Sequence, residues 1–431
     1  MRFAAFVSPD DWTVAFGTAG EAGYRYIVER CARAGIRRFY WRASSGTFYY
    51  NTRIENPRTI PDKPEDRADF LAPGKAWFWE VLDYSRDDTF AAAFPYAKRL
   101  GVEIIVWLPL EDAHGGGSTR LAREHPEWMS RDRSGLQYER ICGWGFPEVR
   151  RWKLEVIREI MAYDPDGVLL DLGRFGQLSD ENLVSTAGYE QPSVEGFRVK
   201  TGKDAFAIPN DDSEWIRFRA SFLTQWVQSV RRLLDAQPKS KELSLYLLPP
   251  GTGGAQSISA LRNPSQQVWD EQKVLETTVY RPCGPPLHSR LADVGSWAQN
   301  GWITLLSLPD HVPMSDPKRW KPVVIRLPNG GRAWGWEPHH TRDGGRFRRL
   351  ATPQERADTL AYFRKLSNGK LSYSWCVKPG DDREQLKRRI LELHEQGFDE
   401  INFNESNHLM HTLDDRWNAV AEAGEEIGGG T

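Results

Sequence analysis

The chain has 431 residues, of which 40% are hydrophobic and 27% are charged, and its formal net charge is −2. These proportions are typical of a soluble globular protein. The near-neutral charge gives no electrostatic basis for binding nucleic acid or an anionic membrane, and the apolar runs are too short to span a bilayer.

Residues 1–9 lack the long apolar core and the small-residue cleavage site of a signal peptide. The four cysteines, at positions 31, 142, 283 and 376, show no CxxC or metal-ligand spacing. We therefore expect a reduced, cytoplasmic protein without cofactor or metal, unless a leader was removed. The oligomeric state is not predicted. The 18 tryptophans suit a cleft that stacks on sugars.

Short apolar runs alternate with segments of helical periodicity along the chain. The predicted strands cover 2–7, 36–41, 102–108, 168–171, 243–248, 302–308, 370–375 and 400–403. The predicted helices cover 20–34, 87–99, a segment that opens at Pro147, 213–236, 289–299, 353–366, 382–395 and 412–424. Many of these helices end in a glycine just before the next strand, at Gly35, Gly101, Gly301, Gly369 and Gly397.

Eight strands that alternate with helices predict an α/β fold, a (β/α)8 TIM barrel, with an open doubly wound sheet as the alternative. We expect one barrel domain over 1–425 and a flexible tail at 426–431. Long loop insertions are predicted at 44–75, 112–146, 178–212, 251–288 and 309–350. No GxGxxG follows the first strand and no GxxxxGK[ST] is present, so neither nucleotide-binding motif is supported.

The fourth strand carries the most informative carboxylate. Its buried run, Val168–Leu170, ends at Asp171, and a glycine- and arginine-containing turn follows. Barrel enzymes keep their catalytic groups at the C-terminal ends of the strands. Asp171 is therefore a candidate catalytic residue, although a helix cap or an ion pair with Arg174 would also explain it.

The same rule gathers other residues at the mouth of the barrel. Predicted substrate contacts are Trp41, Arg42, Trp107, Glu111, His114, Arg174, Tyr246, Trp375 and Asn404. Glycoside hydrolysis needs two carboxyl groups beside the scissile bond. Asp310 and Glu405 are the candidate partners of Asp171, although a turn residue and a helix cap are equally plausible interpretations of them.

Two other functions fit the same residues. A barrel that binds carbohydrate without cleaving it would keep the mouth and lose its acid. A metal-dependent isomerase or lyase would use Glu111, Asp112 and His114, but the three glycines that follow are more typical of a loop. We predict no metal site.

Several stretches together resemble the glycosyl-hydrolase-like family 10 barrels. Val106-Trp107-Leu-Pro resembles the end of that family's third strand, and His125-Pro-Glu-Trp128 resembles its "HPDW" insertion. The segment from Pro147 to Gly167 resembles the family's approach to its fourth-strand aspartate, here Asp171. The similarity extends from about residue 100 to residue 408.

This resemblance implies a TIM barrel that hydrolyses O-glycosidic bonds. The family commonly has a second acidic residue and an aromatic "YP" turn after the fourth-strand aspartate, whereas here residues 172–176 read LGRFG. This difference implies that Arg174 takes over the substrate contact. The pairing of Asp171 with Asp310 also resembles the arrangement in α-galactosidase-like barrels.

Overall fold

A computed structural model describes most of the chain. The described residues are 1–8, 11, 20–44, 48–55, 84–110, 112–114, 117–131, 133, 135, 137–172, 187–248, 253–257, 278–282, 286–309, 312–313, 321–326, 332–337, 348–349, 351–377, 382–403 and 414–429.

Eight parallel strands close into a barrel in the order of the chain, and the last strand pairs with the first. We number them β1 (Arg2–Val7), β2 (Arg38–Arg42), β3 (Glu103–Pro109), β4 (Gly167–Asp171), β5 (Glu242–Tyr246), β6 (Leu305–Pro309), β7 (Ser372–Val377) and β8 (Glu400–Phe403). The predicted TIM barrel is confirmed, and the open sheet is excluded because β1 is hydrogen-bonded to both β2 and β8.

Helices pack around the barrel. They are α1 (Glu21–Arg33), α2 (Thr89–Arg99), α3 (Pro147–Met161), α4 (Ser213–Asp235), α5 (Val294–Gln299), α6 (Pro353–Ser367), α7 (Arg383–Glu395) and α8 (Asp414–Gly429). The predicted helix 289–299 is instead two short helices, Pro286–Arg290 and α5. Leu291 between them has a positive φ of 55°, which interrupts the helical backbone.

Glycine ends many of these helices, as the sequence predicts. Gly35 and Gly101 have φ angles of 85° and 69°, and Gly301, Gly369 and Gly397 also have positive φ. A side chain would be strained in this left-handed conformation. The N-termini are capped by side chains: Asp88 caps α2, Asp212 caps α4, and Thr352 and Glu355 form a capping box on α6.

The insertions hold more regular structure than the sequence predicts. The insertion at 112–146 contains the helix Arg120–Glu124 and the antiparallel pair Met129–Arg131 and Gln137–Cys142. The insertion at 178–212 contains the helix Gln191–Thr201, and the stretch 251–288 contains the antiparallel pair Gly253–Ser257 and Thr278–Pro282. The sequence predicts these segments only as loop insertions, without the helices and strands that they contain.

The segment that the sequence predicts as a tail begins inside α8, which continues to Gly429. Ile427 packs against the main core, and Glu426 lies 3.0 Å from the Lys387 ammonium group on α7. These contacts hold the last turn of the helix.

The barrel strands are buried on both faces. One set of side chains points outward and packs under the helices in the large core, and the other fills the barrel. Trp41 is fully buried in the outer set, where its ring meets those of Tyr24 and Phe94 at 6.1 and 6.3 Å. Trp375 is also fully buried and meets Phe398 at 5.2 Å. The prediction that these two tryptophans line the mouth was wrong.

A charged turn leads into β4. Asp164 has a positive φ of 53°, and its carboxylate accepts hydrogen bonds from Lys98 at 2.7 Å and Lys241 at 2.5 Å. These contacts lower the pKa of Asp164 to about 2. Asp166 accepts a hydrogen bond from the backbone of Ile104 at 2.8 Å. The turn thus joins α2, β3 and β5 at the N-terminal end of the barrel.

Candidate active site

The upper part of the barrel interior is aromatic. The strand registers place Phe6, Trp107, Tyr246 and Cys376 in one inward-facing layer. The ring of Phe6 meets Trp107 edge-on at 4.8 Å and Tyr246 edge-on at 5.6 Å. This layer forms the floor of the mouth.

Asp171 lies directly above this floor. It follows the inward-facing Leu169 by two residues, so its side chain also points into the barrel. The residue is fully buried, and its Oδ2 accepts a hydrogen bond from the Trp107 indole N–H at 2.8 Å. The predicted candidate thus lies at the C-terminal end of β4, where it is held by a neighbouring strand.

Arg42 reaches the same region from β2. Its guanidinium group lies over the Trp107 ring, 4.7 Å from the centroid, and its Nε donates to the Ser44 carbonyl at 3.0 Å. A guanidinium group over an indole face is a favourable cation–π contact. The indole of Trp107 is therefore held by Phe6 at its side, Arg42 on one face and Asp171 at its nitrogen.

Trp107 was predicted to offer its ring to a sugar. Only 4% of the residue is exposed, and Arg42 covers part of its ring. Tyr246, in the same floor, is half-buried, so more of this residue is accessible. The structure thus brings Asp171, Arg42, Trp107 and Tyr246 together, with Trp107 on the inside of the group.

Asp112 holds the beginning of the loop that follows β3. Its fully buried carboxylate accepts hydrogen bonds from the Lys153 ammonium group at 2.7 Å and the Cys142 backbone at 2.9 Å. Lys153 also donates to the Leu110 carbonyl at 3.2 Å. Both oxygens of Asp112 are engaged in these contacts, which fix the loop to α3.

Other predicted site residues are only partly covered by the structure or not at all. His114 lies on the short strand Ala113–His114, for which the backbone alone is described. Outside the described residues lie Glu111, Arg174, Asp310, Asn404 and Glu405. Within the described part of the chain, no three His, Cys, Asp or Glu side chains are placed to hold a metal ion.

Sequence reasoning missed a second polar cluster, deeper in the barrel. Arg38 is buried and binds the Glu242 carboxylate with two hydrogen bonds of 2.7 Å. Its Nε also donates to Glu103 at 2.9 Å, and Glu400 lies 3.5 Å from its Nη1. The signal for this cluster was a charged residue near the beginning of each of four strands.

Burial shifts the titration of this deeper cluster. The Tyr40 hydroxyl donates to Glu400 at 2.5 Å. Burial, followed by the neighbouring Glu400 charge, raises the pKa of Tyr40 well above its ordinary value. Burial also raises the pKa of Glu400, although Arg38 and Tyr40 oppose that change. We call Arg38, Tyr40, Glu103, Glu242 and Glu400 the lower cluster.

Comparison with known proteins places the chain in a family. The model of the family described as glycosyl hydrolase-like 10 matches residues 80–299. The chain belongs to this family. The match spans β3, the insertion after it, α3, β4, α4 and β5, and so includes Trp107, Asp171 and Tyr246. No curated protein sequence matches the chain.

Solved structures support the fold of this family member. The catalytic domain of β-amylase from Paenibacillus polymyxa is 9% identical, with a TM-score of 0.53 over 98% of this chain and 97% of that domain. A β-galactosidase from the psychrophilic Marinomonas ef1 is 11% identical, with a TM-score of 0.52 over 99% of this chain. A β-galactosidase from Halorubrum lacusprofundi is 11% identical, with a TM-score of 0.51 over 99% of this chain.

The chain spans 60% and 58% of the lengths of the two β-galactosidases. At such low identities the similarity concerns the barrel fold alone. Among the helices that the structure describes, none is both long and apolar enough to cross a membrane.

Proposed function

We propose that this glycosyl hydrolase-like 10 protein hydrolyses an O-glycosidic bond of an oligo- or polysaccharide. The observation that carries the proposal is the fully buried Asp171 carboxylate at the C-terminal end of β4, held by the Trp107 indole. Family membership and the similarity of the fold to the β-galactosidase and β-amylase barrels support the same class of reaction.

In this proposal, Asp171 acts as nucleophile or as electrostatic stabiliser of the oxocarbenium-like transition state. Asp310 or Glu405 supplies the proton to the leaving group. In the sequence, Asp310 comes directly after the last residue of β6, and Glu405 comes two residues after the end of β8. Both positions suit a side chain at the mouth of a barrel.

The remaining predicted contacts would bind the substrate. Arg42 and Tyr246 lie beside Asp171 in the structure. We propose Glu111, His114, Arg174 and Asn404 as further contacts on the loops above the strands. Carbohydrate is the proposed partner, and the reaction itself requires no cofactor.

The decisive experiment compares the wild type with Asp171→Asn on a panel of defined oligosaccharides. We expect the variant to lose about a thousandfold or more in kcat because an amide cannot act as the nucleophile or stabilise positive charge. The melting temperature and circular dichroism spectrum should stay close to those of the wild type.

Asp166→Asn is the matched control, because this carboxylate lies beside the same strand but at its N-terminal end. It should keep wild-type turnover. Equal turnover by Asp171→Asn and the wild type would contradict the assignment. Binding without turnover by the wild type would favour a carbohydrate-binding barrel. Proton NMR of the first-formed anomer would distinguish retention from inversion, which correspond to carboxyl separations of about 5–5.5 Å and about 6.5–9.5 Å.

A further inference from the structure

Trp107 occupies a position that does not suit a sugar platform. A platform needs an open ring face, yet only 4% of this residue is exposed. The Arg42 guanidinium group lies over its ring at 4.7 Å, and the Phe6 ring meets it edge-on at 4.8 Å. The indole is therefore part of the packed floor.

The nitrogen of the same indole points at the candidate catalytic group. Trp107 Nε1 donates to Asp171 Oδ2 at 2.8 Å, between neighbouring strands whose registers pair Trp107 with Leu169 and Pro109 with Asp171. An indole nitrogen is only a donor and has no charge to give to the carboxylate. It can therefore fix the orientation of Asp171 without neutralising it.

The packing around Trp107 makes this orientation rigid. Phe6 from β1 and Arg42 from β2 restrict the indole, and Phe6 itself stacks on Tyr40 at 4.8 Å. A catalytic group needs such support, since its productive geometry must hold to within about 0.5 Å.

From these contacts we infer that Trp107 is a positioning residue that holds the Asp171 carboxylate for reaction, and that the substrate stacks on Tyr246 instead. This inference rests on the proposed function of Asp171. It assigns different consequences to two aromatic residues of one layer: loss of the Trp107 N–H impairs the chemical step, whereas loss of the Tyr246 ring impairs binding.

The first test is a pair of variants, Trp107→Phe and Tyr246→Leu, measured across pH. Trp107→Phe should lower kcat about tenfold to a hundredfold, the range of one hydrogen bond to a charged group, and change KM less than twofold. Tyr246→Leu should raise KM and change kcat less.

The pH profile distinguishes positioning from packing. A hydrogen bond to a carboxylate favours its charged form, so its loss should move the acidic limb of the kcat profile to higher pH in Trp107→Phe. Asp171 shares the C-terminal end of the barrel interior with three charged or titratable side chains among the described residues. They are Arg42, Tyr246 and Cys376. None of them is altered in this variant.

Trp297→Phe is the matched control. This tryptophan is also fully buried and its indole N–H donates to Thr224 at 3.1 Å, but it lies in α5, outside the barrel. It loses the same indole and one indole hydrogen bond, here to a neutral hydroxyl. It should therefore be destabilised while its kcat, KM and pH profile stay at wild-type values.

A stability measurement separates this inference from the proposed function. The urea midpoints of Trp107→Phe, Asp171→Ala and the double variant should be non-additive, since each single variant removes one partner of the same hydrogen bond. Additive midpoints would overturn the positioning role. So would a higher KM with unchanged kcat in Trp107→Phe. If the wild type cleaves no sugar while the midpoints are non-additive, the proposed reaction fails and the positioning of Asp171 by Trp107 remains.

Discussion

The two ends of the barrel interior both contain carboxylates and an arginine, but these groups make different contacts at each end. At the N-terminal end, the lower cluster holds its carboxylates with a guanidinium group, and Arg38 binds Glu242 through two hydrogen bonds of 2.7 Å. At the C-terminal end, the Trp107 indole donates a hydrogen bond to the Asp171 carboxylate, and the Arg42 guanidinium group lies over that indole. We expect the lower arrangement to serve stability, and we propose that the upper one serves catalysis.

The presence of a groove does not distinguish the proposed catalytic end of the barrel from the other end. A groove of about 740 Å³ opens at the N-terminal end, lined by Arg38, Glu242, Lys241, Arg231 and others. Several of its charged side chains are paired within the protein: Arg38 with Glu242, Lys241 with Asp164 and Arg231 with Asp235. A concave polar surface is therefore insufficient evidence of an active site.

Of the substitutions that test this comparison, Arg38→Met should have the largest effect on the free energy of unfolding. The variant leaves the Glu242 carboxylate without this guanidinium partner, whereas Glu400 keeps Arg2 at 3.9 Å. Removal of one member of a buried ion pair costs about 3–5 kcal/mol, so we expect the free energy of unfolding to fall by that amount. Urea denaturation would measure it. The folded fraction should keep its kcat, and a loss of kcat without a loss of stability would contradict the division between the two ends.

A smaller effect, with a defined pH dependence, should come from Glu400→Gln. Burial raises the pKa of Glu400, so the folded state holds this proton more tightly than the unfolded state does. The stability of the wild type should therefore decrease as pH rises past the ordinary pKa of a glutamate, about 4.3. The variant lacks this loss, and its stability relative to the wild type should increase from pH 4 to pH 7 in urea titrations. A constant difference over that range would contradict the prediction.

The smallest effect should come from Asp164→Asn, at the turn before β4. The pKa of Asp164 is lowered to about 2, mainly by its hydrogen bonds with Lys241 and Lys98. Its contribution to stability is therefore present above about pH 4 and is lost as pH falls toward 2. The side chain is 58% exposed, so solvent screening limits the effect to under about 1 kcal/mol. Thermal melts of both proteins should differ at pH 6 and converge near pH 2. Melting temperatures that differ more at pH 2 than at pH 6 would contradict the prediction.

The order of elements could be predicted from the sequence because each barrel strand is a short apolar run and glycine ends most of the helices before the strands. The sequence does not reveal which side chains point into the barrel and which point outward. In β2 every residue is buried, so hydrophobicity does not reveal which alternate set points inward. Trp41 and Arg42 were therefore placed together at the mouth, although neighbouring residues on a strand face opposite sides.

The helices and strands inside the insertions could not be predicted for a different reason. The strands Met129–Arg131 and Gln137–Cys142 are short and polar, and they are held by contacts with distant residues. Asp112, for example, accepts a hydrogen bond from the Cys142 backbone. Such a contact has no local sequence pattern. Asp171 was predicted because both its strand and its position at the strand end leave a local signal.

The interior of the barrel is also unequal from side to side. In the two layers below the floor, strands β1 to β4 contribute Ala4, Tyr40, Ile105 and Leu169, whereas β5 to β8 contribute Ser244, Ser307, Ser374 and Asn402. Asn402 donates to both Ser307 and Ser374, at 3.0 and 2.5 Å. Exposure of polar surface on unfolding lowers the heat capacity change, and exposure of apolar surface raises it. The polar β5–β8 half of the interior therefore lowers the heat capacity change of unfolding, and the apolar β1–β4 half raises it. A smaller heat capacity change flattens the curve of stability against temperature.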